Sequence, residues 1–315
     1  MNRRVTDRPA SSFHPAVGYS MRKLYALLVL TFVVICGAGY YLYSAGVLAP
    51  EPILDHQTLC PRDKPTVSAT YLLVDVTDPP SKADILRLRE AALSAALAMP
   101  DYALFVIAVL NPDDAASPEI AFRRCTPLSP VRTSILRGGT QYLRTAWKKK
   151  FEAPMLEALD QTTSSTLKAA RSPIIATIAA LTQRPDFSGK VKDRQLVLFS
   201  DLLEFNRGGY SQLQRGDIMA MFRRSSLSQT WPDLKSVPVT VVYISRNEPA
   251  FMRAQVPAHR SFWNWYLTTA GASHVEFIGV QEAPPALPAE PAPKPPRPAL
   301  APRHQFRNSC NCGGS

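Results

Sequence analysis

The chain has 315 residues, and its 36 lysines and arginines outnumber its 25 aspartates and glutamates, which gives a formal net charge of +11. This length allows one good-sized domain with appendages, and the charge would suit an anionic partner such as a phospholipid surface. The basic residues occur in scattered pairs and one triplet without interleaved aromatic residues, so a nucleic-acid groove is not expected and a basic solvated surface is the simpler explanation.

The first predicted element is a membrane-spanning helix. Residues 24–50 contain no charged residue, and about 20 apolar residues suffice to cross a bilayer. Basic residues precede this run and acidic residues follow it. We therefore predict a cytoplasmic basic tail over residues 1–23, a transmembrane helix over 24–48 in a bacterial inner membrane, and a periplasmic body. The alternative is a cleaved signal peptide that starts at Met21.

After a linker over residues 49–69, apolar segments of strand length alternate with segments of helical periodicity. The predicted strands are 71–76, 102–110, 195–200, 237–245 and 274–280. The predicted helices are 81–98, 141–169, 173–181, 211–227 and 260–272, and residues 115–140 are expected to be irregular. This alternation predicts an α/β fold over residues 70–280, with a doubly wound, mainly parallel sheet covered on both faces.

Local signals mark several helix ends. Ser81 and Asp84 have the spacing of a capping box at the start of the first helix of the domain. Ser172 followed by Pro173 is typical of an N-cap residue with proline at the first helical position. Gly271 is expected to end the last helix.

The tail and the cysteines follow from composition. Residues 281–315 are rich in proline and alanine and predict an extended, disordered tail rather than a core. Cys60 and Cys125 flank the first two predicted strands and can form a disulfide in an oxidising compartment, although the sequence leaves the connectivity open. Cys310 and Cys312 lie in the tail without further ligands nearby, so a zinc site is not expected there.

Acids and hydroxyls follow two of the predicted strands. Asp75 and Thr77 lie at the end of the first predicted strand, in the segment YLLVDVTDPPS. Asp201 lies at the end of a later strand, in QLVLFSD, and Ser172 begins a predicted helix between the two. Strand ends share one edge of a doubly wound sheet. Carboxylates and hydroxyls form a hard-oxygen set that suits Mg²⁺ or Mn²⁺, with Asp78 and Ser81 as second-line ligands. The alternative is that these side chains only cap helices and turns.

These segments resemble the von Willebrand factor A-like (VWA) domains. YLLVDVT is similar to the family's first strand, ARSPIIATIAAL to the segment with its metal-binding threonine, with Ser172 at that place, and QLVLFSD to the strand with its third-motif aspartate. Pro79 stands where the family's second serine falls, so Asp78 or Ser81 would have to replace that ligand. The resemblance implies a domain that binds another protein, here an envelope protein, through a metal at the strand tips.

A vaguer resemblance concerns the biological setting. The TDP turn after the first strand and the SPI start of a helix are similar to membrane-anchored proteins of bacterial mobile elements and conjugation machinery. This implies a part in an envelope or DNA-transfer assembly.

Two further functions compete with this hypothesis. One is a structural envelope platform that needs no metal. The other is a Mg²⁺-dependent phosphohydrolase of the haloacid dehalogenase type, but that class requires a second acid where Thr77 stands. The sequence has no G-x-S-x-G elbow and neither of the glycine-rich nucleotide motifs, so no complete catalytic constellation and no small-molecule substrate are expected.

Overall fold

The computed structural model describes residues 21–44, 52–129, 140–164, 169–206 and 209–279. Within them the protein has one six-stranded, mostly parallel sheet with helices, and one apolar helix near the N-terminus. The α/β class predicted from the sequence is therefore confirmed. Residues 1–20, the proline-rich tail over 281–315, and with it Cys310 and Cys312, lie outside the described residues.

The apolar helix α1 spans Met21–Ser44. Its segment Met21–Tyr41 has a mean hydropathy of 2.0 and is long and apolar enough to cross a membrane, as an anchor or as a signal sequence. The predicted start at residue 24 was late, because the helix already includes Arg22 and Lys23 in its first turn. Large apolar side chains are exposed all along this helix, which suits a lipid environment.

The sheet has the strand order β3-β2-β1-β4-β5-β6. Strand β3 runs antiparallel to β2, and every other neighbouring pair is parallel. The strands are β1 Ser68–Val74, β2 Leu104–Val109, β3 Glu119–Cys125, β4 Asp193–Ser200, β5 Pro238–Tyr243 and β6 His274–Ile278.

The connections are mainly helical. The helices are α2 Lys82–Ala98, α3 Thr140–Trp147, α4 Ala153–Thr163, α5 Ile174–Gln183, α6 Ile218–Arg224, α7 Pro249–Ala254 and α8 Pro257–Thr269. A π-helical turn, Lys148–Glu152, joins α3 to α4, and a 3-10 turn, Ser226–Gln229, follows α6.

Both faces of the central strands are buried, as predicted, whereas the edge strands β3 and β6 are partly exposed. Alternate residues of a strand face opposite sides, and every residue of β1 is buried. On one face Leu72 packs in a cluster with residues of α2 and α4. On the other face Tyr71 contacts Phe187, with ring centroids 4.6 Å apart, and Tyr243 of β5 bonds His259 of α8. The continuous apolar runs of β1, β2 and β4 are explained by this double cover.

Several elements differ from the sequence prediction. Strand β3 lies in the stretch that was expected to be irregular, because its edge position leaves Glu119 and Arg123 partly or fully exposed and removes the apolar signature. The helix predicted over 141–169 is interrupted by the π-helical turn and ends at Thr163. The helix predicted from residue 211 begins only at Ile218, and the short helix α7 was not predicted.

Of the three helix-end signals predicted from the sequence, the structure confirms two. The Ser81 hydroxyl accepts from the Asp84 amide while the Asp84 side chain accepts from the Ser81 backbone, so the capping box is present. Gly271 follows the last residues of α8 with φ 101, a conformation that favours glycine. Ser172 does not cap α5, since the helix begins at Ile174 with Pro173 as N-cap and no side-chain bond.

The predicted linker contains local structure. Asp55 Oδ1 accepts from the amides of Gln57 and Thr58 at 3.0 and 2.9 Å and closes a turn. Strand β1 begins at Ser68, inside the stretch assigned to the linker. Cys60 and Cys125 are both disulfide-bonded, as predicted; among the described residues Cys36 is the free cysteine.

The disulfide predicts a redox-dependent labelling pattern. In denaturant without reductant, iodoacetamide should leave Cys60 and Cys125 unmodified, whereas prior reduction should expose both to alkylation. Peptide mass spectrometry of the full chain measures the two modifications separately. Modification of either residue without reductant would contradict the bond. Replacing Cys125 by serine should lower the free energy of unfolding by about 2–5 kcal/mol.

Candidate functional site

The candidate site lies at the carboxyl edge of the two central strands. Strands β1 and β4 are neighbours, with Val74 opposite Phe199, so Asp75 and Asp201 directly follow paired strand ends. The Asp75 amide extends the pairing by donating to the Phe199 carbonyl at 2.9 Å. Connections leave these two strands in opposite directions, to β2 and to β5. The two predicted acids therefore flank the point where the strand order reverses.

Asp75 is buried and accepts four hydrogen bonds. Its Oδ1 accepts from the Thr77 amide at 3.0 Å and from the Thr77 hydroxyl at 2.6 Å. Its Oδ2 accepts from the hydroxyls of Ser172 at 3.3 Å and Ser200 at 2.7 Å. A carboxylate offers about four lone-pair positions. All of them are used by residues of this domain.

The hydroxyl residues are held by the backbone of neighbouring loops. The Thr77 carbonyl accepts from the Ala169 amide at 2.8 Å, and Ser172 exchanges two backbone bonds with Phe205, of 2.7 and 3.1 Å. The Thr77 and Ser172 oxygens lie 3.3 Å apart. Because Ser172 does not cap α5, its hydroxyl is available to Asp75. The structure thus brings Asp75, Thr77 and Ser172 into one polar cluster.

Asp201 is held by a buried ion pair instead. Its Oδ2 accepts from Arg246 Nε at 2.7 Å, with only 4% of the acid side chain and 9% of the arginine side chain exposed. Its Oδ1 accepts from the Leu203 amide at 3.0 Å. Burial and the charge of Asp75 raise the pKa of Asp201 to about 6, although Arg246 opposes this shift.

Arg246 also holds the turn that follows β1. Its Nη1 donates to the Pro79 carbonyl at 2.9 Å and its Nη2 to the Asp78 carbonyl at 3.2 Å. Burial disfavours the guanidinium charge, but the charge of Asp201 outweighs it, so the pKa of Arg246 is raised. This side chain therefore joins the turn after β1 to the tip of β4.

The two second-line residues have other positions. Asp78 lies at the same cleft as Thr77 and Ser172, and its backbone carbonyl contacts Arg246. The Ser81 hydroxyl donates to Asp84 at 2.6 Å and caps α2. Ser81 lines a different cavity, with Pro79 and Arg87. It is therefore not part of the cluster around Asp75.

Glu204 is a buried acid that the sequence analysis missed. Its Oε2 accepts from the Ile175 amide at 2.8 Å, at the start of α5, where Ser172 was expected to cap. Only 1% of the residue is exposed. Burial, with a smaller contribution from the charge of Asp75, raises the pKa of Glu204 to about 8.

His259 has a structural environment. Its Nε2 lies 3.0 Å from the Leu202 carbonyl and 3.1 Å from Gln212 Oε1, so this nitrogen carries the proton. Its Nδ1 then accepts from the Tyr243 hydroxyl, 3.1 Å away. Burial lowers the pKa of His259 to about 4. A neutral imidazole whose two nitrogens are both engaged stabilises the packing of α8 and does not act as a base here.

The predicted metal set does not fit a resident divalent ion in this arrangement. Among the described residues no group of three or more metal-ligating His, Cys, Asp or Glu side chains occurs, although hydroxyls were part of the prediction. More directly, the lone pairs of Asp75 are occupied and Arg246 already neutralises Asp201. A Mg²⁺ or Mn²⁺ ion would have to displace these partners.

A small cleft opens beside the cluster. It has a volume of about 160 Å³ and is lined in part by Thr77, Ser172, Asp201, Arg171 and Phe251. A cleft of this size accommodates one side chain of a partner rather than a substrate of drug size. Three of these residues, Thr77, Ser172 and Asp201, were predicted at this edge from the sequence. Thr77 and Asp201 follow predicted strands, and Ser172 lies at the start of a predicted helix.

Comparison with known proteins adds no relative: no protein-family model matches the chain, and no curated protein is similar to it.

Because the pKa of Glu204 is raised to about 8, we expect the free energy of unfolding to fall as the pH rises from 6.5 to 8. In this range the unfolded carboxyl is ionised and the folded one retains its proton, so the folded state binds more protons and loses stability as the pH rises. The expected loss is about 1–2 kcal/mol in the free energy of unfolding. His259 is half protonated at pH 6.5 in the unfolded state but neutral in the folded state, so it opposes the decline by about 0.4 kcal/mol near pH 6.5, equally in wild type and variant.

Urea unfolding of the full chain in detergent, followed by tryptophan fluorescence, measures this pH dependence. The Glu204→Gln variant should lose the decline over the same range. Asp217→Asn, at an exposed cap of α6, is the matched control and should keep it. An identical slope in wild type and Glu204→Gln would show that Glu204 ionises normally.

Proposed function

We propose that this protein is a membrane-anchored, VWA-like domain that binds another envelope protein at the carboxyl edge of its sheet. The observation that carries the proposal is the convergence of Asp75, Thr77 and Ser172, with Asp201 at the next strand tip. They flank the reversal of strand order, which is where open α/β sheets bind ligands.

The strand order supports the proposed fold family. The order 3-2-1-4-5-6 is that of a doubly wound sheet, and the three segments that resemble VWA domains form β1, the start of α5 and β4. The resemblance to VWA domains implies the binding mode, and the convergence of side chains at the strand tips supports the position of the site.

Of the two modes of binding, the metal-independent one has the better support. The acids already have hydrogen-bonding and ionic partners, so the edge is organised without an added ion. The phosphohydrolase alternative has less support, because the Thr77 hydroxyl lies where that class needs a second acid and is bonded to Asp75.

The proposed location is the bacterial inner membrane, with the α/β domain in the periplasm and a role in an envelope or DNA-transfer assembly. The apolar helix α1 and the disulfide-bonded Cys60 and Cys125 support it, because disulfides persist in oxidising compartments. The membrane topology rests on the basic residues that precede the span.

The anchor predicts an uncleaved, membrane-bound protein. After expression in bacteria, the chain should remain in the membrane pellet through a carbonate wash and keep Met21–Ser44 when its mass is measured. Protease added to spheroplasts should digest the α/β domain. A soluble periplasmic product that begins after the span would establish a cleaved signal sequence instead.

The binding site predicts position-specific cross-linking in cells. A photoactivatable amino acid at Phe251, which lines the cleft, should give an adduct of one discrete mass. The matched control is Leu86, which is 60% exposed on α2 and should give none. Chelator should leave the Phe251 adduct unchanged. Adducts at both positions, or at Leu86 alone, would place the partner elsewhere, and loss of the adduct in chelator would contradict metal-independent binding.

A further inference from the structure

Two buried carboxylates at neighbouring strand tips create an electrostatic problem. Asp75 and Asp201 are each 3% exposed and follow paired strands. Like charges in a low-dielectric site repel strongly, and buried charges are retained only where a counter-charge or hydrogen bonds compensate them. Hydroxyls and an amide compensate Asp75, whereas Asp201 depends on a cation.

The groups that contact Arg246 are hard oxygen ligands. Its guanidinium bonds the Asp201 carboxylate and the carbonyl oxygens of Asp78 and Pro79, at 2.7, 3.2 and 2.9 Å. One carboxylate and two main-chain carbonyls, from two separate strand tips, are the type of donor set that a hard divalent ion gathers. The arginine makes the same kind of bridge with directed N–H donors.

The arginine itself is positioned by the fold. Arg246 follows β5, the strand beside β4. Its backbone amide donates to Gln255 Oε1 at 2.8 Å, and the Gln255 amide group donates to the carbonyls of Asp201 and Ile244 at 3.1 and 2.8 Å. The backbone that carries the guanidinium is therefore fixed beside Asp201.

We propose that Arg246 is the resident cation of this site: its guanidinium performs the bridging and charge-neutralising work of a divalent metal, and its removal converts the strand-tip oxygens into a metal site. The oxygens that its removal frees are the Asp201 carboxylate oxygen Oδ2 and the carbonyls of Asp78 and Pro79, whereas Asp75 keeps its hydrogen bonds to Thr77, Ser172 and Ser200. Arg246 fills this role whichever partner the domain binds.

The geometry also explains the proline at position 79. Proline lacks a backbone N–H and fixes its φ angle, so the Asp78-Pro79-Pro80 turn is stiff and its first two carbonyls face Arg246. Two carbonyls held by a stiff turn match the directed N–H donors of a planar guanidinium. Arginine and proline are thus complementary parts of one arrangement.

The test measures Mn²⁺ binding by the full chain in detergent, from the electron paramagnetic resonance signal of free Mn²⁺. The wild type should show no saturable binding that depends on Asp201. Arg246→Gln, which replaces the guanidinium by a shorter, uncharged side chain, should bind one Mn²⁺ with an affinity of about millimolar or tighter. The double variant Arg246→Gln, Asp201→Asn should lose it.

Thermal unfolding provides a second readout. Arg246→Gln should unfold roughly 10 °C below wild type, because one charge of a buried pair is left alone, and Mn²⁺ should raise its midpoint again by several degrees. Arg171→Ala is the matched control, since Arg171 lines the same cleft but bonds Asn206; it should gain no Mn²⁺ response. Arg246→Lys keeps the charge and should also gain none.

Three results would overturn the proposal. The first is saturable Mn²⁺ binding by the wild type that Asp201→Asn abolishes, which would mean that the arginine leaves room for a metal. The second is a folded Arg246→Gln variant that gains no Mn²⁺. The third is an Arg246→Gln variant that stays unfolded with Mn²⁺ as well as without it, while Arg246→Lys folds.

Discussion

The need to compensate Asp75 and Asp201 at the buried tips of β1 and β4 determines much of the surrounding structure. Three hydroxyls and an amide converge on Asp75, and Arg246 is drawn from the next strand to Asp201. The Ser172 hydroxyl bonds Asp75 and does not cap α5. The Ile175 amide at the start of that helix donates to Glu204 instead. Loops from four parts of the chain are thereby fixed in one place, beside the cleft that Phe251 lines.

A second buried arginine, Arg194, lies at the opposite end of β4 and has a different role from Arg246. Arg194, near the start of that strand, is 8% exposed. It donates to the carbonyls of Phe187, Asp233 and Lys235 at 3.2, 2.9 and 2.9 Å. Planar guanidinium groups with several directed donors suit such multipoint contacts. Arg194 contacts only carbonyls in these bonds and ties loops together, whereas Arg246 adds a carboxylate. Because its partners include the Asp201 carboxylate, Arg246 forms an ion pair as well as a bridge between loops.

The fold class and most residues of the candidate site could be predicted from the sequence, and for the same physical reason. Buried parallel strands must be apolar, so β1, β2 and β4 stand out in the sequence, and polar residues that interrupt them mark one edge. Edge strand β3 carries exposed charges and gave no such signal. Arg246 lies two residues beyond the apolar run of β5, which ends at Ile244, and could have been found by the rule that identified Asp75 and Asp201. Glu204 could not, because its partner is a helix start set by tertiary structure.

A site whose charges are satisfied internally recognises partners differently from a metal centre. An exposed divalent ion with an open position binds an incoming carboxylate strongly and with little dependence on the surrounding shape. The Arg246 side chain is nine-tenths buried and its donors are directed inward. In the proposed binding mode, a partner therefore contacts fixed backbone groups, Arg171 at the cleft and the aromatic side chain of Phe251. Affinity must then come from shape and from pre-organised contacts, which gain from the stiff turn at Pro79 because less conformational entropy is lost on binding. In the proposed arrangement, the ion pair of Asp201 and Arg246 therefore replaces a metal and also supplies the rigidity that such a surface requires.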